Sequence, residues 1–83
     1  MHEWGLVADV VEEVKNQAAK NNINKVTAVQ IGLGKKADLS ERAFRTCFKV
    51  LAKDTPMASA RLKFTKRTDH IVMVDKIEGQ TEG

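Results

Sequence analysis

The sequence predicts a two-layer α+β domain in the order αβαββ, with two helices packed on one face of a three-stranded sheet. Three features lead there. Apolar residues recur at helical spacing in two segments, they alternate with a period of two in others, and 83 residues leave room for one core. Two apolar helix stripes and a sheet with one face to cover are most simply buried against each other. Residues 1–83 therefore read as a single domain.

Each element has its own warrant. Leu6, Val7, Val10, Val11, Val14 and Ala18 follow i, i+3, i+4, i+7, with Glu12, Glu13, Lys15 and Asn16 between them, which predicts an amphipathic helix over residues 4–20 that Asn21-Asn22 ends. From Val26 to Leu33 the period becomes two, with Val29, Ile31 and Leu33 on one face and Gly34 closing the strand. Asp38 stands three residues before Glu41, a capping-box spacing that opens a second helix whose stripe is Phe44, Cys47, Phe48 and Leu51. Lys53-Asp54-Thr55-Pro56 makes a turn, and Ala60 to Thr65 alternates as a second strand. A polar connection, Lys66 to His70, leads to a third strand from Ile71 to Ile77, and Gly79 to Gly83 is expected to fray.

Composition removes several classes of function. Cys47 is the one cysteine, so neither an internal disulfide nor a Cys-based zinc site can form, and the chain must fold by packing alone or pair as a homodimer. The longest apolar run, Ile71 to Val74, has four residues, against roughly 20 for a membrane span. Met-His-Glu-Trp at the start lacks the basic head and apolar centre of a secretory signal, which predicts a cytoplasmic protein with Cys47 reduced. No nucleophile has a His at a motif spacing, and Gly32-Leu33-Gly34-Lys35-Lys36 lacks the downstream residues of a phosphate loop, so the chain does not read as an enzyme.

Charge is uneven. The net +3 divides into −1 over residues 1–34 and +4 over residues 35–83. On the second helix Arg42, Arg45 and Lys49 share a face away from the Phe stripe, with no stacking aromatic among them, a pattern that suits an acidic protein partner better than nucleic acid.

The chemically distinctive position is His2. The Met1 amine, the His2 backbone nitrogen and the His2 imidazole can form linked chelate rings in one plane, a geometry for Ni(II) or Cu(II) rather than Zn(II), and Glu3 could add a carboxylate. An amide must lose its proton to bind this way, and the first four N–H groups of a helix have no intrahelical acceptor to lose. A bulky His after Met1 normally blocks removal of the initiator methionine. The plain alternative is a solvated His at a helix end, and copper exceeds nickel in raw affinity, so spacing alone names no metal. His70 is either a solvent-exposed loop residue or a distal metal ligand. Cys47 on an apolar stripe reads as core, and Trp4 either caps the core or docks on a partner.

Met1-His2-Glu3 with Leu6, then Val26, Val29, Ile31 and Leu33-Gly34, then Phe44-Arg45 with Phe48, Leu51-Ala52-Lys53, Thr55-Pro56, Ala60 and Leu62 resemble the hydrogenase nickel-incorporation accessory family, HypA/HybF. The resemblance runs from Met1 to about Phe64. It implies a non-enzymatic nickel metallochaperone with Met1, His2 and Glu3 as the Ni(II) site and His2 as the essential ligand. It also implies as partners a nickel-delivery GTPase and the large subunit of a [NiFe] hydrogenase, with urease a second recipient in some organisms.

Two departures stand out. Lys35-Lys36-Ala37 occupies the place of the family's Glu-Leu-Ser, and the two C-x-x-C pairs of the family's structural zinc domain are absent. Val72 to Glu78 still resembles the strand with which members finish after that domain, so the zinc insert reads as excised near residues 66–70 and no structural zinc is expected. A metal-independent adaptor that kept the fold is the second reading, and a small basic nucleic-acid-binding domain the third.

Overall fold

The structure is a computed structural model and describes residues 2–81, with side chains from residue 3 onward. Its elements follow the expected order: α1 His2–Lys20, β1 Ile23–Gly34, α2 Glu41–Leu51, β2 Arg61–Arg67 and β3 Val72–Thr81. The sheet order is β2-β1-β3, with β1 parallel to β2 and antiparallel to β3. Parallel neighbours need a crossover, and α2 supplies it between β1 and β2. No helix among the described residues is long and apolar enough to cross a membrane.

The α1 stripe is buried as its spacing demands. Val7, Val10, Val11, Val14 and Ala18 join Val26, Val29 and Ile31 of β1 and Phe44, Cys47 and Phe48 of α2 in one core. Four β-branched valines are weak helix formers, and their burial on one face outweighs that preference. The Phe44 ring lies 6.1 Å from Phe48 and meets Phe64 edge-on at 5.4 Å, which fastens α2 to β2. Leu62 and Phe64 share the covered face with their register partners Val29 and Ile31.

Several boundaries differ from the periodicity, each for a physical reason. Helix α1 starts at His2 rather than residue 4, because Glu3 and Trp4 pack toward α2. Asn22, at φ 56°, ends it in the left-handed conformation, which Asn tolerates. The N-cap of α2 is Ser40, whose Oγ accepts from Ala43 N at 3.1 Å. Asp38 has φ 57°, a left-handed turn conformation unlike the extended backbone of an N-cap, so the expected capping box does not form.

Strand β1 begins at Ile23, and Val26 N donates to Pro56 O at 2.9 Å, tying the turn after α2 to the sheet. That turn also sends Met57 into the core, fully buried. Strand β3 continues through Thr81, so Gly79 to Thr81 are paired rather than frayed, while Glu82 and Gly83 lie outside the described residues. Gly79 makes this fit: a Cβ there would collide with Ile23 and the Lys25 carbonyl.

Because β2 and β3 flank β1, the connection between them crosses the end of the central strand. Three backbone bonds pin it: Gly34 N to Ile71 O at 2.8 Å, Lys35 N to Arg67 O at 2.8 Å and Lys36 N to Asp69 O at 2.9 Å. Arg67 clasps the Asp69 carboxylate through Nη2 at 2.6 Å and Nε at 3.0 Å, and Ile71 N donates to the same carboxylate at 3.1 Å. The connection expected to be merely polar is thus a braced turn.

Candidate metal centre

Two of the metal-binding candidates, Glu3 and His70, fall at one end of the sheet. Helix α1 and strand β1 are joined by a tight turn, so the start of α1 lies near the end of β1, and Leu6 lines a groove with Val72 at the start of β3. The β2–β3 connection, carrying His70, therefore sits at the same end as the first turn of α1.

Met1 and the side chain of His2 lie outside the described residues. The backbone places His2 as the first residue of α1, so its N–H and those of Glu3 and Trp4 have no intrahelical acceptor. The half-buried Glu3 is the acidic residue of this first turn, where a negative charge complements the helix dipole.

Glu3 and Trp4 form one wall of a shallow pocket of about 390 Å³ whose other wall is Ser40, Arg42, Ala43, Thr46 and Cys47 of the α2 cap and first turns. Trp4 covers part of the pocket and keeps 38% of its surface exposed. Cys47 is 4% exposed and belongs to the core, in line with its place on the apolar stripe. Burial pushes its thiol up from the ordinary range, and the charge of Glu3 raises it further, so Cys47 stays protonated at neutral pH and is a poor ligand as it stands. Helical spacing showed that Cys47 is buried. It carried no sign that the Glu3 carboxylate would face it, since that proximity depends on how α1 crosses α2.

His70 is exposed on the connection, beside the Arg67–Asp69 clasp. Among the described residues no group of three or more His, Cys, Asp and Glu comes together, so His70 shares no ready-made site with Glu3 or Asp69. The clasp itself is a feature the sequence reading missed. The spacing Arg67-x-Asp69 was its signal. Hydrogen bonding to Arg67 holds the Asp69 carboxyl at about 2, and that bond raises Arg67 in turn. Held by two bonds from Arg67 and one from Ile71 N, Asp69 is occupied structurally.

Comparisons with known proteins say to which family this fold and sequence belong. The family model described as hydrogenase/urease nickel incorporation, metallochaperone, HypA matches residues 1–72. A hydrogenase maturation factor HypA from Actinobacillus succinogenes is 34% identical over 64 residues, which is 77% of this chain and 57% of the relative. One from Desulfatibacillum aliphaticivorans is 38% identical over 63 residues, 75% of this chain and 48% of the relative.

The solution structure of the Ni metallochaperone HypA from Helicobacter pylori superposes with a TM-score of 0.71 at 19% identity, covering 92% of this chain and 72% of that one. Residues ahead of β3 could not supply that share by themselves, so part of β3 has a counterpart there. The chain belongs to the HypA family. It spans about half the length of the curated relatives it matches.

Proposed function

We propose that this chain is a nickel metallochaperone for hydrogenase maturation, and for urease where that enzyme is present, carrying Ni(II) as cargo at Met1, His2 and Glu3. The observation that carries the proposal is the match of the nickel-incorporation family from residue 1 onward, on a chain that begins Met-His-Glu. The start of α1 at His2 supports it: deprotonating the His2 amide to bind the ion would break no hydrogen bond of the helix. The four donors would be the Met1 amine, the His2 amide and imidazole nitrogens, and the Glu3 carboxylate, a nitrogen-rich planar set suited to Ni(II). His70, carried to the same end of the sheet, is a distal donor of second rank.

The chain has no turnover of its own in this reading. It would work in the cytoplasm with a nickel-delivery GTPase and the hydrogenase large subunit, and with β2 joined directly to β3 in place of a zinc insert. Nickel titration of the chain with a free terminus tests it. The expected result is one Ni(II) per chain with a yellow, square-planar absorption band, unchanged in Cys47→Ala and lost in His2→Ala and in a chain extended at its N-terminus. Equal nickel binding by the extended chain or by His2→Ala overturns the site. Capture of the same maturation partner with and without nickel would favour the metal-independent adaptor.

A further inference from the structure

The two edges of the sheet carry opposite charge. Beside the β3 edge, the groove against α1 is lined by Asp9 and Glu13. Beside the β2 edge, the groove against α2, about 520 Å³, is lined by Arg45, Lys49 and Arg61 over the apolar floor of Phe48 and Leu62. Lys63 extends this charge along the uncovered face, and Lys66 continues the same strand.

Among the described residues none of these five cations pairs with a carboxylate, the ion pairs present being Lys15–Glu12 and Arg67–Asp69. Glu78 lies across the sheet in a groove with Lys25, Arg61 and Lys63, and Asp75 on the same face accepts from Thr65 Oγ1 at 2.8 Å.

The β2 edge also has unused backbone. Arg45 Nη2 reaches the Leu62 carbonyl at 3.4 Å while its guanidinium lies 4.9 Å from the centre of the Phe64 ring, so the Leu62 peptide faces outward, away from β1. Peptide groups alternate in direction along a strand, so those of Phe64 and Lys66 face outward too, and among the described residues β2 has no neighbouring strand on that side. An edge strand with free peptide groups accepts an added strand, and the side chains around it decide which.

Cations on an edge discourage pairing between identical copies. By the same electrostatics they favour a strand of opposite sign. We infer that the β2 edge, bordered by Arg61 and Lys63 on one face and by Arg45 and Lys49 on the other, docks an extended acidic polypeptide segment of a partner protein by strand addition. Side chains of that segment would alternate between the two basic borders, so it would be acidic on both faces. This inference is independent of the nickel site.

The test uses three fluorescent probes on the whole chain at low salt: a ten-residue peptide repeating Glu-Glu-Thr-Val, which puts Glu on both faces of an extended strand, its Lys counterpart, and a ten-nucleotide single-stranded DNA. The Glu peptide is expected to bind and to slow amide exchange at Phe64 and Lys66. Arg61→Glu combined with Lys63→Glu should weaken it about tenfold or more. Lys66→Pro removes an outward N–H at an edge position where proline is tolerated, and should weaken binding with the circular dichroism spectrum retained.

Binding of the Glu peptide unaffected by the charge reversal, or without protection at Phe64 and Lys66, overturns the inference. So does binding of the DNA alone, which would mark a nucleic-acid surface. Protection of the same amides by raising protein concentration without peptide overturns it in favour of a second copy.

Discussion

Gly34→Ala tests the braced turn directly. A Cβ at Gly34 would lie 2.7 Å from Ile71 O and 2.8 Å from Ile71 N, and closer still to the Asp69 carbonyl. These are backbone atoms, which no rotamer change can move, so the connection must lift from the end of β1. Lifting it breaks at least the bonds from Gly34 N to Ile71 O and from Lys36 N to Asp69 O.

At about 1 kcal/mol for each bond, with part of the Lys35–Arg67 bond added, the loss is roughly 2–3 kcal/mol. A chain of this size has a total stability of roughly 4–12 kcal/mol, and at roughly 4–8 °C per kcal/mol the melting temperature should fall by about 10–20 °C. Gly5→Ala is the internal control. Gly5 sits in α1 with open space where its Cβ would be, so the same substitution there should raise stability by about 0.5–1 kcal/mol. Thermal unfolding by circular dichroism reads both variants, and amide exchange at Lys36 reports the loosened turn. If Gly34→Ala melts within a few degrees of the parent, the connection is not seated on β1 as described.

Three further outcomes follow from the core, the cap and the clasp. Phe44→Ala removes a fully buried ring that bridges α2 to β2 and should cost about 3–5 kcal/mol in urea unfolding, while Phe44→Leu should cost much less. Ser40→Ala should destabilise by about 1 kcal/mol through loss of the bond to Ala43 N, whereas Asp38→Gly should be neutral or mildly stabilising, since Asp38 caps nothing and occupies a left-handed conformation; chemical denaturation of the pair distinguishes the two candidate caps. Asp69 favours its carboxylate form when folded, so its contribution is complete above the ordinary carboxylate range near 4 and fades as pH falls toward about 2. An acid titration followed by fluorescence of Trp4 should therefore show a flatter stability profile between those values in Asp69→Asn than in the parent.

Much of this architecture was legible because its signals are local. The change from a 3.6-residue to a two-residue period between Ala18 and Val29 marks the passage from α1 to β1, and the Phe44, Cys47, Phe48 stripe orients α2 without knowledge of its neighbours. Strand order was not legible, since periodicity says which face is buried but not which strand stands in the middle. Met57 gave no signal either: it sits alone in a turn, and only the return of that turn to Val26 buries it. The sequence reading put the cap at Asp38 and passed over Ser40, and only the left-handed backbone of Asp38 shows that Ser40 is the cap. For the proposed nickel site, the terminal Met1-His2-Glu3 is a reading from the sequence alone. The closeness of Glu3 to Cys47 depends on tertiary packing, and no spacing rule contains it.

The central position of β1 also bears on how the chain comes together during synthesis. Both of its partners, β2 and β3, are made after it, and the first of them begins at Arg61. A nascent chain that has reached the end of α2 holds two amphipathic helices and a valine-rich strand with no strand to pair with on either side. Its apolar face and its backbone donors stay open to other chains or to chaperones until the last quarter of the sequence emerges. The early turns of α1 gain their groove against Val72 and Val74 only when β3 arrives, so residues made well before β1 are among the last to reach their native surroundings.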